Sequence, residues 1–204
     1  SPILQSNLEI LHSIGVIQVG PEKGRLACGE EGLGRMADVL EILEATKSAL
    51  TKKDLSGEKI LVTAGPTREY LDPIRFISNK SSGKMGYSIA KVALRRGADV
   101  TLISGSTYLT PPSGAKFLKV ETAEQMLEAV MREIEDKTVF IMSAAVMDFK
   151  PSEYSDEKIE KKEEYLIRFV NNLDIIKTIG DLEKRPFIIG FSAEVGKHVE
   201  RARE

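Results

Sequence analysis

The sequence predicts an α/β fold in which an open, mainly parallel, Rossmann-like sheet carries helices on both faces. Three observations lead there. From Lys59 onward, short apolar runs of strand length alternate with longer stretches of helical period; the order repeats as β-α-β-α-β; and glycine or proline stands where elements should stop. Such an order favours parallel strands joined by right-handed crossovers. Lys59-Ile-Leu-Val-Thr-Ala64 is the first strand, ended by Gly65-Pro66. Met85, Ile89, Val92, Ala93 and Leu94 share one face of the helix that follows, with Gly97 at its C-terminal cap. Ala98 to Ile103 is the second strand, Thr122 to Glu135 the next helix and Thr138 to Ala144 the third strand. The polar, charged segment Asp148 to Lys162, interrupted by Pro151, reads as a mobile loop. A strand at Tyr165 to Val170, a short helix at Leu173 to Gly180, a strand at Phe187 to Phe191 and the start of another helix complete the pattern.

The front of the chain lacks this rhythm. A helix-like start around Leu8, Ile10 and Leu11, a strand-like Val16 to Val19 and the glycine-rich Gly29-Glu-Glu-Gly-Leu-Gly34 come without a sheet to pack on. Residues 51–58 are polar and read as a linker, which divides the chain into 1–50 and 59–204. At 204 residues there is room for one good-sized domain and an appendage. A net charge of -2 argues against a broad nucleic-acid surface, and 42% hydrophobic with 29% charged residues is the balance of an ordinary globular protein. The lone Cys28 forms no internal disulfide, and no apolar run reaches the roughly 18 residues of a membrane span. No leader precedes Ser-Pro-Ile, so the expected compartment is the cytoplasm.

In an open parallel sheet, ligands bind outside the carboxyl ends of the strands, and three loops there are chemically dense. In the first, Ser81, Ser82 and Gly83 directly precede a helix, where backbone N–H groups attract anions; they equally suit a simple helix cap. The spacing is neither that of a P-loop nor of a dinucleotide fingerprint. In the second, the small residues of Ser143-Ala-Ala-Val-Met-Asp148 let a flat ring lie on the backbone. Asp148 suits a hydroxyl or a divalent cation beside a triphosphate, or is a solvated turn residue. The third holds Lys158, Lys161 and Lys162, able to fold over a polyphosphate or to remain a solvated charge run. All three loops suit a nucleoside triphosphate. His12 and His198 lie at opposite ends of the chain, so no Ser-His-Asp arrangement is suggested, and no Cys/His metal spacing exists.

Several of these segments have a familiar form. Ala64-Gly-Pro-Thr-Arg-Glu69, Asp72-Pro-Ile-Arg-Phe-Ile-Ser-Asn-Lys-Ser-Ser-Gly-Lys-Met-Gly86, Ala144-Ala-Val-Met-Asp148, Lys158-Ile-Glu-Lys-Lys162 and Gly190-Phe-Ser-Ala-Glu194 resemble, in order and spacing, the motifs of the bacterial phosphopantothenoylcysteine synthetases. Upstream, Leu26-Ala-Cys-Gly-Glu-Glu-Gly-Leu-Gly-Arg-Met36 is similar to the substrate-covering flap of phosphopantothenoylcysteine decarboxylase, the usual N-terminal partner in a bifunctional enzyme. The resemblance implies that residues 1–50 are the end of a flavin-dependent decarboxylase domain, and that the synthetase pattern runs on past Glu204.

What the resemblance implies is a ligase. CTP converts the carboxylate of 4′-phosphopantothenate to an acyl-cytidylate with release of pyrophosphate, and the amine of cysteine displaces CMP to form the amide. Asn79 is then expected to position the acyl-cytidylate and Lys158 to stabilise charge on the triphosphate. Ser81 and Gly83 border its phosphates, and Met142, Ser143 and Ala144 line the cytosine site. Asp148 lies near the nucleotide and its Mg2+. Leu173, Asp174, Ile175 and Ile176 supply a helix start for phosphates, and Phe191 packs by the base. Cys28 matches the decarboxylase proton donor, inert without a flavin pocket, and FMN belongs only to the longer bifunctional protein. A homodimer is implied, with no nucleic acid or membrane as partner. Two other readings stay open: a non-catalytic nucleotide-binding module, and a nicotinamide-dependent reductase. The second is opposed by Ser104-Gly105, which stands where an acidic ribose ligand is required.

Overall fold

The computed structural model describes residues 2–26, 29–161 and 163–193. The chain forms two compact units, Ser1–Thr51 and Lys52–Glu204. In the first, α1 (Pro2–Ser13) is followed by a hairpin of β1 (Glu22–Arg25) and β2 (Glu31–Arg35), then α2 (Val39–Leu50). The strand expected at Val16 to Val19 is irregular backbone; pairing starts at Glu22, where a partner strand exists. The glycines of β2 have a packing reason: a Cβ at Gly34 would sit 2.9 Å from the Leu26 side chain, which lies across the strand. Asp38 starts α2, its carboxylate accepting the Leu40 N–H at 2.8 Å.

In the second unit the elements are β3 (Lys59–Ala64), β4 (Arg68–Tyr70), β5 (Phe76–Ser78), α3 (Lys84–Arg95), β6 (Asp99–Ser104), β7 (Lys116–Lys119), α4 (Ala123–Glu133), β8 (Val139–Met142), β9 (Phe149–Pro151), β10 (Phe169–Asn171), α5 (Ile175–Gly180) and β11 (Phe187–Gly190). Five of these strands make one sheet in the order β11-β8-β3-β6-β7, every neighbouring pair parallel. The central strands are apolar on both faces because both faces are covered. Ile60, Val62, Val100 and Leu102 pack with Tyr87, Ala90 and Ala93 of α3. Leu61, Ile103 and Phe140 point the other way, onto Met126 and Val130 of α4 and Ile175 and Ile179 of α5. The fold is therefore the predicted one.

Within the described residues the expected helices and parallel strands of this unit are present, with differences at the margins. Tyr165 to Val170, expected as one strand, is strand only from Phe169; β10 pairs antiparallel with β9 and lies outside the main sheet. Four strands of this unit without an expectation, β4, β5, β7 and β9, are only three or four residues long. Residues 51–58, expected as a linker, are tied into the second unit from Lys53 on: Lys53 Nζ donates to Arg95 O at 2.6 Å, Asp54 pairs with Arg96, and Leu55 packs on the α3 side of the sheet. The helix expected near the end lies outside the described residues. Among the described residues no helix is long and apolar enough to cross a membrane.

Candidate functional site

Strand order reverses between β3 and β8: from β3 the chain moves to β6 and β7, then returns across the sheet to β8 and β11. A crevice at the carboxyl ends of such a pair is where open α/β sheets take ligands. Here the two loops stay paired beyond the strands. Ala145 N–H donates to Gly65 O at 2.9 Å, Thr67 N–H to Ala145 O at 3.2 Å, and Ser143 Oγ to Thr63 O at 2.8 Å. Buried Thr67 adds its Oγ1 as acceptor for Met147 N–H at 3.0 Å. The loop Ser143-Ala-Ala-Val146 is thus a shelf of fixed backbone and small side chains.

α3 enters this crevice end-on. Its N-cap is the buried Gly83 at φ 76°, a left-handed conformation that suits glycine, and no side chain caps the helix. Gly86 lets the first turn press on β3: a Cβ there would lie 2.6 Å from Ala64 Cβ. Ser81 Oγ accepts from Gly83 N–H at 3.2 Å, so Ser81 shapes the approach to the helix. First-turn N–H groups without a side-chain cap beside a shelf of small residues are a ready anion site.

The antiparallel hairpin β4–β5 rises from the loop after β3. At its base Ser78 Oγ donates to Thr67 O at 2.7 Å, and Asn79 Nδ2 reaches across the crevice to Ala145 O at 3.3 Å and Val146 O at 3.1 Å. The structure therefore brings Asn79 to the Ala145–Val146 end of the shelf, but commits its N–H donors to protein carbonyls rather than leaving them for a ligand. At the hairpin tip, fully buried Asp72 is met by Ile74, Arg75 and Ile159 N–H groups and by the Arg75 guanidinium. Burial pushes its carboxyl up, yet those hydrogen bonds and the arginine charge hold it below the ordinary carboxylate value.

The expected mobile segment Asp148 to Lys162 is more ordered than its composition suggests: it begins with β9, and Ser155 N–H and Ile159 N–H are bonded to the hairpin tip. Lys158 and Lys161 are exposed, and Lys162 lies outside the described residues. Asp148 is exposed at the end of the shelf, its carbonyl accepting Asn172 N–H at 2.7 Å. Among the described residues no three His, Cys, Asp or Glu side chains are grouped to hold a metal. A magnesium ion at Asp148 would accordingly need phosphate oxygens as further ligands.

The segment 173–176 divides by role. Ile175 is fully buried in the core, and exposed Asp174 caps α5, Oδ1 accepting Lys177 N–H at 2.9 Å. Leu173 and Ile176 are partly exposed, as is Phe191, whose N–H donates to Met142 O at 3.2 Å and thereby joins the shelf. Asn172, which sequence reasoning missed, has a buried Nδ2 without a hydrogen-bond partner among the described residues, beside Asp148. Its signal was the pair Asn171-Asn172 just before a helix start. Cys28 lies outside the described residues.

Residues 55–204 match the family described as the DNA/pantothenate metabolism flavoprotein C-terminal domain. The chain belongs to this family. Among its relatives are the coenzyme A biosynthesis bifunctional proteins CoaBC of Escherichia coli K12, 44% identical over 98% of this chain and 51% of that one, and of Bacillus subtilis, 38% identical over 95% and 49%. The chain spans about half the length of these curated relatives. Solved structures of similar fold are a C-terminal domain of coenzyme A biosynthesis bifunctional protein CoaBC (TM-score 0.64, 43% identical, over 74% of this chain and 71% of that one) and the DNA/pantothenate metabolism flavoprotein from Streptococcus pneumoniae (TM-score 0.63, 26% identical, over 72% and 76%). For a member of this family, the crevice between β3 and β8 is the site to interrogate.

Proposed function

We propose that the chain performs the ligase reaction of coenzyme A biosynthesis, joining 4′-phosphopantothenate to cysteine at the expense of CTP. The observation that carries this reading is the β3/β8 crevice, where an α3 start without a side-chain cap lies beside a small-residue shelf. The phosphates rest at Gly83 and Ser81, and the cytosine lies on Met142, Ser143 and Ala144 with Phe191 at its edge. Asp148 and Asn172 stand near the ribose and the magnesium that accompanies the triphosphate.

The carboxylate oxygen of phosphopantothenate attacks the α-phosphorus of CTP, and pyrophosphate leaves. Lys158 neutralises the charge that builds on the leaving phosphates. The cysteine amine then attacks the acyl carbonyl, CMP departs with the bonding pair and the amine loses a proton. Asn79 serves this second step by holding the Ala145–Val146 carbonyls in place and by presenting its own Oδ1. A homodimer belongs to the same proposal, as does FMN in the decarboxylase part of the longer protein.

The test is to incubate the intact protein with CTP, magnesium and 4′-phosphopantothenate, and to follow pyrophosphate and product amide with and without cysteine. Pyrophosphate should appear with both substrates and amide only with cysteine. Lys158→Gln should suppress both. Asn79→Asp sets a carboxylate oxygen against two carbonyl oxygens, so amide formation should fall further than pyrophosphate release. CTP binding without pyrophosphate release would leave a non-catalytic nucleotide-binding module instead.

A further inference from the structure

Asp72 is a carboxylate with no exposed surface, a setting that is unfavourable unless donors surround it. Its two oxygens do different things. Oδ1 accepts Ile74 N–H and Arg75 N–H, each at 2.8 Å, and so closes the turn between β4 and β5. One side-chain oxygen is enough for that, and an asparagine would serve as well. The second oxygen and the negative charge face a distant segment: Oδ2 accepts Ile159 N–H at 3.1 Å across 87 residues and pairs with Arg75 Nη1 at 3.3 Å. Arg75 Nη2 in turn donates to Ile159 O at 3.1 Å. Both polar main-chain atoms of Ile159 are thus gripped by one acid–base pair, and the preceding residue is Lys158. Ser155 N–H adds a second tether, to Leu71 O at 3.0 Å.

The hairpin therefore works at both ends. Its base holds the shelf through Asn79, with Ser78 bonded to Thr67 beside it, and its tip holds the lysine segment, so one ribbon relates Asn79 to Lys158. An exposed lysine on an otherwise polar segment has many rotamers to lose, and fixing its backbone removes part of that cost before a ligand arrives. We propose that Asp72 is a positioning residue: its buried carboxylate clasps the backbone of Ile159 and so sets Lys158 for its work on the nucleotide phosphates. This deepens the ligase reading and rests on it.

The test uses the intact protein and two variants that cut the same bond from opposite sides. Asp72→Asn keeps the turn but replaces the Oδ2 acceptor by an N–H donor; Ile159→Pro removes the donor and leaves the hairpin untouched. Amide exchange at Ile159 in Asp72→Asn should quicken by at least about tenfold, as for loss of one charge-assisted hydrogen bond, while Leu61 and Leu102 amides in the sheet stay protected. In both variants kcat for pyrophosphate release should fall roughly tenfold with little change in KM for CTP, the mark of an interaction used in the transition state. Neither should lower the rate further in a Lys158→Gln background. Unchanged exchange at Ile159 in Asp72→Asn overturns the clasp and leaves the role of Lys158 standing, as does an undiminished kcat in Ile159→Pro. Pyrophosphate release at the parent rate in Lys158→Gln overturns the ligase role of that lysine and the positioning role with it. If Asp72→Asn does not fold, Ile159→Pro alone decides.

Discussion

The two units of this chain use similar residues to opposite effect. Both have helices with apolar stripes, but in the second unit Leu61, Leu102 and Phe140 are fully buried, whereas in the first Leu33, Leu40 and Leu50 are 70 to 83% exposed. Among the described residues Ala37 is the one buried apolar side chain of the first unit. The difference is the sheet. Five parallel strands offer two faces for helices; a two-stranded hairpin offers too little surface to cover even one. Stability and a formed site should accordingly reside in the second unit.

The largest effect should come from the centre of that sheet. Leu61→Ala is expected to cost about 2–5 kcal/mol in chemical denaturation, and Leu33→Ala in the first unit no more than about 0.5 kcal/mol; equal losses would show that the exposed unit carries a core of its own. Next comes the crevice wall. Gly86→Ala forces a methyl against Ala64 and should cost about 1–3 kcal/mol while weakening nucleotide binding. Gly180→Ala, with open space around its Cβ, should be neutral or stabilising by up to about 1 kcal/mol. A smaller change is expected at a cap in the first unit: Asp38→Ala should cost α2 about 1 kcal/mol, read as faster amide exchange in that helix while the sheet is unaffected.

The smallest effect is a slope. Asp72 has its folded pKa below the ordinary value, so its contribution is complete above about pH 3.9, the unfolded value, and is lost as pH falls through the lowered one. Asp72→Asn should show a shallower acid limb in the stability curve of the second unit. An unchanged limb would mean that Asp72 is no more stabilised as a carboxylate in the folded state than in the unfolded one.

The core of the second unit was legible because each of its elements states its own period. Lys59–Ala64 is an apolar run ended by Gly-Pro, and the Lys84–Arg95 helix shows its period and its stop at Gly97. Of the face expected at Met85, Ile89, Val92, Ala93 and Leu94, however, only Ala93 is buried; Met85 and Val92 are exposed and the smaller Gly86 and Ala90, with Tyr87, turn inward because the helix packs close on the sheet. The motif loops could be found as well, since strand ends of a parallel sheet are where ligands go. β4, β5, β7 and β9 were not legible: three or four residues are too few to display a period, and Pro73 breaks the hairpin pattern. The strand expected at Val16 to Val19 failed for the converse reason, an extended-looking run with no neighbour to bond to.

Residue order alone therefore determined the alternation of strands and helices, the parallel sheet and the identity of the loops at its carboxyl edge. Tertiary structure alone decided what those loops do to one another: that Asn79 spends its amide on the carbonyls 66 and 67 residues away, that Asp174 and Ile175 serve the helix and the core, and that buried Asp72 grips Ile159 across 87 residues. The physical reason is range. Periodicity and capping act within a few residues and leave a trace in local sequence, whereas a hydrogen bond between distant loops depends on the register and crossover of the whole sheet, which no short stretch of sequence records.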